Sequence, residues 1–225
     1  MNIIVLDSSS IISLAMNSLL YLFKKMKKPE VRFVIPEDVK REVIERPLQI
    51  KRYELEALAV QQLVNDGVLE TPQAIGISPN AVKLEREKLM DTANHTFNAR
   101  GEWIKIVSSG EVGCIAVAKL AEEKNFKAVI MVDERTTRML CEKPENLRAL
   151  LESKLHTSVA AEEKNFKFFS GFRIIRSAEF SYVAYKKGMI DISDGSHLID
   201  ALLYAVKFKG CAISSQEIEQ LKKID

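Results

Sequence analysis

No C-x-x-C pair occurs in this chain, and its three cysteines, Cys114, Cys141 and Cys211, are odd in number and widely scattered. That arithmetic argues against a disulfide framework, and a reducing cytoplasm is the compartment expected. No stretch approaches the ~18 consecutive apolar residues that a membrane-spanning helix needs. The first residues run straight into a short apolar segment closed by Asp7, without the basic region, long apolar region and small-residue cleavage site of a secretory signal. A soluble protein is expected. Charge of one sign is also lacking: 33 Lys and Arg against 31 Asp and Glu give a formal net charge of +2, too little to indicate a nucleic-acid partner by itself. No glycine-rich phosphate loop or dinucleotide fingerprint follows the first apolar run, which removes the common nucleotide-binding versions of an α/β fold.

What is present is an alternation of short apolar runs with amphipathic segments. Residues 2 to 7 predict a buried strand, and Ser8 to Ser10 offer capping hydroxyls to a helix carrying Ile11, Leu14, Leu19, Leu22 and Phe23. Val31 to Ile35 predicts a second strand, followed by a helix from Pro36 to about Arg46, where Pro47 ends it. Further helices are expected over about 49–65, 79–94, 111–125, 134–141, 145–155 and 197–208, the last following Ser193-Asp194-Gly195. Strands are expected at 68–71, 128–132 and 172–176. The irregular stretch 73–105, with one charged helix and no clear buried strand, reads as an insertion. With 225 residues the chain can bury a full core. The alternation argues for a mainly parallel sheet covered on both faces. The heptapeptide Ala-Glu-Glu-Lys-Asn-Phe-Lys at 121–127 recurs at 161–167, but its flanks do not match and no repeat architecture follows.

Four acidic residues stand at the exits of these runs or in the first turns of the helices after them: Asp7, Glu42, Glu111 and Asp133. Open parallel sheets gather such positions at the carboxyl ends of their strands. Each has a local alternative. Asp7 and Asp133 can be helix N-caps, Glu42 can lie on a solvated face, and Ser108-Ser109-Gly110-Glu111 fits a capping box. Capping explains them singly and leaves their shared edge unexplained. Hard carboxylate oxygens so placed suit Mg²⁺ or Mn²⁺, and in the absence of metal their mutual repulsion should raise at least one pKa.

The segment around Asp7-Ser8, Glu42 in the helix after the second strand, Gly110-Glu111-Val112-Gly113-Cys114-Ile115-Ala116-Val117-Ala118 and Ala128-Val129-Ile130-Met131-Val132-Asp133-Glu134-Arg135 together resemble the PIN-domain nucleases, particularly prokaryotic and archaeal members. The likeness covers most of residues 1–142, leaving 143–225 as the C-terminal part of the same domain or an extension. Met131 departs from the Ser or Thr that the family often carries two residues before its last aspartate. The resemblance implies a Rossmann-like three-layer α/β/α sandwich and a metal-dependent ribonuclease. Asp7, Glu42, Glu111 and Asp133 would be both catalytic and metal-binding, with Ser8 or Ser9 supplying a supporting hydroxyl. It implies an RNA substrate, Mg²⁺ or Mn²⁺ as cofactor, and an antitoxin or an RNA-processing factor as partner; a homodimer is compatible with it. The alternative is a catalytically silent PIN-like module that binds RNA or protein.

Arg135 and Arg138 are candidate phosphate contacts, as is the cluster Lys24, Lys25, Lys27 and Lys28. The lysines are equally read as a solvated helix end. Phe166, Phe168, Phe169 and Phe172, interleaved with Lys167, Arg173 and Arg176, could stack on bases, although core packing is the stronger expectation for them. His95, His156 and His197 are too dispersed for zinc. Asp200, on the helix with His197 and Tyr204, is the reserve ligand.

Overall fold

The computed structural model describes residues 1–192 and 197–224. In chain order the strands are β1 (Asn2–Leu6), β2 (Val31–Val34), β3 (Leu69–Glu70), β4 (Phe97–Ala99), β5 (Glu102–Trp103), β6 (Lys127–Met131), β7 (Ala160–Ala161) and β8 (Ile174–Ile175). The α-helices are α1 (Ser8–Met16), α2 (Tyr21–Met26), α3 (Glu37–Lys40), α4 (Glu54–Asn65), α5 (Pro79–Asn94), α6 (Ser109–Glu123), α7 (Arg135–Glu142), α8 (Pro144–Leu155), α9 (Ser177–Lys186), α10 (Leu198–Phe208) and α11 (Ser215–Leu221).

A five-stranded sheet runs in the order β3-β2-β1-β6-β8, and every pairing in it is parallel. Parallel neighbours need crossover connections, and the intervening helices supply them, flanking the sheet. In the central strand β1, Ile3, Val5 and Leu6 are fully buried, as a strand covered on both faces requires. The arrangement is an α/β fold consistent with three layers. Among the described residues no helix is long and apolar enough to cross a membrane.

Several expected elements differ in detail. The single helix expected after Asp7 is two, α1 and α2, because the chain breaks at Asn17 to Leu20, where Ser18 takes a left-handed φ of 57°. The helix expected from Pro36 to Arg46 is α-helical only to Lys40 and then widens into a π turn at Arg41–Glu45. In 73–105, where no clear strand was expected, β4 forms a small antiparallel sheet in the order β5-β4-β7, with Phe97 fully buried. There α5 packs on α6, burying Leu89 and Ala93. The turn residues Ser193-Asp194-Gly195 lie outside the described residues. Phe169 is fully buried and Phe166 packs on Phe97 at 5.8 Å between ring centroids, so these aromatics serve the core.

Candidate metal centre

Strand β1 ends at Leu6, opposite Met131 of β6, and the Asp7 N–H continues the ladder by donating to Met131 O at 2.9 Å. The chain then turns into α1 with Asp7 as N-cap: Oδ2 accepts from the Ser9 N–H at 3.0 Å and the Ser9 hydroxyl at 2.5 Å. Both contacts use one oxygen. Oδ1 is buried and has no hydrogen-bond partner among the described residues, in a residue only 2 % exposed. Leaving a carboxylate oxygen enclosed and unsatisfied is costly. Burial is the main cause that lifts the Asp7 pKa to about 6; the Ser9 bonds oppose it, and the charges of Glu111 and Glu42 add to it.

Glu42, whose charge acts on Asp7, projects from the π turn. Such turns displace side chains from α-helical register and recur at functional sites. Its carboxylate lies over the first turn of α6, where a Cβ added to Gly110 would come within 2.9 Å of Oε2 and 3.1 Å of Oε1. Glycine leaves room for the carboxylate. Glu111 is held by a capping box, with Oε2 accepting from the Ser108 N–H at 2.6 Å and the Glu111 N–H donating to Ser108 Oγ at 3.3 Å. Burial raises its pKa against the Ser108 bond, with repulsion from Glu134 adding to the rise.

Cys114 reports where these charges converge. Its thiol is buried, donates to Leu6 O at 3.4 Å, and has its pKa pushed far up by burial first and then by Asp7, Glu111, Glu42 and Asp38. Asp38 was not singled out in the sequence. It is buried, paired with Arg86, 3.6 Å from Arg41, and accepts from Ser109 Oγ at 3.4 Å. Its position four residues before Glu42 on one helical segment is the signal that could have found it.

Asp133 already has both carboxylate oxygens hydrogen-bonded. It is fully buried, and Oδ1 accepts from the Ser177 N–H at 2.7 Å and Oδ2 from the Ser177 hydroxyl at 2.5 Å. Its carboxylate therefore compensates the amino end of α9, as a helix terminus favours. Burial raises its pKa, Ser177 and Cys211 oppose the rise, and the charge acting on it is that of Glu179. The charges of Glu42 and Glu111 act on Asp7, whereas the Asp133 carboxylate is bonded to the start of α9; Glu134 rather than Asp133 caps α7.

Of the supporting hydroxyls, Ser9 is the one bonded to Asp7. Arg138 is tied to Ala212 O at 3.0 Å and to Glu142 at 3.6 Å, a structural use, while Arg135 lines an open cleft with Asn146, Ser214 and Glu217. The lysine cluster lies toward the opposite, amino-terminal edge of the sheet: Lys24 pairs with Asp66 at 2.6 Å, Lys27 with Glu70 at 2.7 Å, and Lys25 with Asp191. Asp200 is paired with Lys222 at 2.7 Å.

Among the described residues no three His, Cys, Asp or Glu side chains converge tightly enough to form a ready-made cation cage. The donor set nonetheless fits Mg²⁺ or Mn²⁺. Mg²⁺ keeps several waters and commonly takes one or two carboxylates plus substrate phosphate, and the unbonded Asp7 Oδ1 and the Glu42 carboxylate are oxygens of that kind. The fold is α/β, with the buried Asp7 carboxylate at the carboxyl end of its central strand. No protein-family model matches the chain, and no curated protein or solved structure shows significant similarity to it.

Proposed function

We propose that this chain is a metal-dependent endoribonuclease of PIN type. The observation that carries the reading is Asp7 Oδ1, buried and unpartnered at the carboxyl end of the central strand, with Glu42 and Glu111 acting on the same carboxylate. A cation, a water or a reacting group can compensate an otherwise unsatisfied buried carboxylate oxygen. Asp7 and Glu42 would hold Mg²⁺ or Mn²⁺, with the Glu111 charge nearby adding to the attraction for a cation. When bound, such an ion supplies an activated water at neutral pH and neutralises charge building on the phosphate. The protein's own part is placement: Ser9 fixes the Asp7 rotamer, Gly110 leaves room for Glu42, and the Ser108 capping box fixes Glu111 in the first turn of α6. Water adds to phosphorus and the ester bond to the leaving oxygen breaks, so RNA is cut hydrolytically.

One observation favours a second reading. With both Asp133 oxygens engaged by Ser177, the pocket has one carboxylate fewer than the resemblance implies, which suits a silent PIN-like module that binds RNA or protein. Incubation of single-stranded RNA with Mn²⁺ or Mg²⁺, with EDTA and Asp7→Asn as controls, separates the two. Cleavage abolished by either control supports the nuclease; metal binding without cleavage supports the silent module; cleavage indifferent to both controls removes the mechanism. An antitoxin or an RNA-processing assembly would be the partner of the active form.

A further inference from the structure

The hairpin of β4 and β5 carries the chain's single tryptophan, Trp103, and leaves it 46 % exposed. Its turn is Arg100-Gly101, with φ of 56° and 85°, and two consecutive positive φ values are what a two-residue turn needs to follow the twist of the strands. Phe97, fully buried beneath the hairpin, and the pairing of β4 with β7 hold this small sheet to the body of the fold. On the face away from Phe97, Trp103 stands opposite Asn98, and Asn98 opposite Ala160. Registered partners share a face, so the ring is flanked there by a small amide and an alanine rather than by the contiguous apolar patch of a protein-docking surface. The His95 ring meets the indole edge-on, with 5.3 Å between centroids and 71° between planes, and the Asp91 carbonyl holds His95 Nδ1 at 2.8 Å. Trp103 is braced as well as exposed. Arg100 and Lys105 are exposed on either side of it in the chain, and neither forms an ion pair among the described residues. The nearby acids are otherwise directed: strand alternation turns Glu102 to the opposite face, and Asp91 lies 3.2 Å from His95.

We infer that Trp103 is a stacking platform for an unpaired base of single-stranded RNA, with Arg100 and Lys105 meeting the neighbouring phosphates. The inference rests on the proposed function for the identity of the polymer alone, and it applies to the nuclease and to the silent module alike. Every base has a π-face, and an accessible aromatic ring set among unpaired cations is the combination by which proteins hold single strands. The ring supplies the stacking surface and the cations supply the attraction for the backbone. Its place along the chain fits that use. Five residues lead from Trp103 to Ser108, the N-cap of α6, which bounds their separation at roughly 18 Å, and Gly110 and Glu111 follow in the first turn. A strand seated on Trp103 therefore has only a short run of nucleotides to span before it reaches the carboxylates proposed to hold the cation.

The test titrates the full-length protein with octaadenylate RNA in EDTA, so that no strand is cut, and follows tryptophan fluorescence, which comes from Trp103 alone. Stacking should quench most of that emission, whereas heparin, a polyanion without bases, should leave it unchanged. Anisotropy of fluorescein-labelled octaadenylate should show binding weakened about tenfold by Trp103→Ala, the loss of one stacked base, and by no more than about threefold by Trp103→Phe, which keeps a ring and guards against loss of the hairpin. Arg100→Asn, a residue that tolerates the positive φ, and Lys105→Gln should each lower the slope of log affinity against log salt by about 0.7. RNA binding that leaves Trp103 emission unchanged, affinity indifferent to Trp103→Ala, or equal quenching by heparin overturns the inference. Absence of RNA binding overturns it too and leaves the ring to a protein partner. Cleavage in Mn²⁺ without quenching in EDTA would keep the nuclease reading and discard the platform; quenching without cleavage would keep the platform and support the silent module.

Discussion

The Ser9 hydroxyl joins Asp7 to Asp133: it donates to Asp7 Oδ2 at 2.5 Å and accepts the Asp133 N–H at 3.0 Å. The ends of two neighbouring strands, β1 and β6, are thereby locked together by one side chain. It also explains why Asp7 offers only one oxygen to anything else. Ser9→Ala should cost about 1–2 kcal/mol, the typical loss for a capping hydroxyl that serves buried partners. Denaturant unfolding measures that loss, and Mn²⁺ affinity should fall in the same variant because the Asp7 carboxylate is no longer held in one rotamer.

Asp7 should trade stability for function. Its pKa is near 6 in the fold and about 3.8 when unfolded, so the folded protein binds the proton more tightly. Metal-free stability therefore rises as pH falls from about 6 toward 3.8 and is lowest above pH 6. A shift of this size corresponds to an upper bound of roughly 3 kcal/mol at about 1.4 kcal/mol per pKa unit. Asp7→Asn should raise the melting temperature at pH 7.5 in EDTA and flatten its pH dependence in that window, while removing cleavage. A loss of stability at neutral pH would contradict this account.

Acid should weaken the packing of the last helix. Arg176 donates to Ala212 O at 3.1 Å and pairs with Glu217 at 2.7 Å and with Glu179, so it ties α9 to α11. Burial pushes the Glu217 pKa up, but the Ser214 amide and hydroxyl and the Arg176 guanidinium outweigh it and hold it near 2. With a folded pKa below the unfolded 4.5, the contribution is present above pH 4.5 and is lost as pH falls through about 2. Glu217→Gln should therefore make the stability curve shallower in acid and cost only about 0.5 kcal/mol at neutral pH, since the pair is partly exposed. Arg176→Ala, which removes the guanidinium joining Glu179, Glu217 and Ala212 O, should cost more, about 1–2 kcal/mol. Urea titrations at pH 3 and pH 7 read both effects.

Gly110→Ala probes Glu42 without removing it. The new methyl would press on the Glu42 carboxylate, the movable end of a side chain, so the fold should persist and even gain up to ~1 kcal/mol of helix propensity. Cleavage should drop by about tenfold or more, since a misplacement of ~1 Å is that costly in an active site. Unchanged activity would mean that the position of Glu42 is immaterial.

The sequence was most legible where one local rule decides the structure. The apolar runs of β1, β2 and β6, the capping by Asp7 and the capping box at Glu111 all follow from neighbours within a few residues. What it did not disclose depends on distant partners. The commitment of Asp133 to Ser177 joins residues 44 apart, and no local pattern around either announces it. The π turn that re-aims Glu42 follows a segment whose apolar spacing reads as an ordinary helix. The repeated heptapeptide makes the same point. Its first copy ends α6 and enters β6 through Asn125 at φ 63°, while the second forms a 3₁₀ turn in which the Asn165 amide donates to His95 O at 2.9 Å. Identical residues adopt different structures because their surroundings differ.

Mn²⁺ binding to the metal-free, full-length protein, measured by calorimetry for wild type, Asp7→Asn and Glu42→Gln at pH 7.5, bears most directly on the buried Asp7 oxygen. Wild type should bind the ion and each variant should lose at least tenfold in affinity while remaining folded. Equal affinity in all three proteins, or no binding to wild type, would contradict a cation site at Asp7.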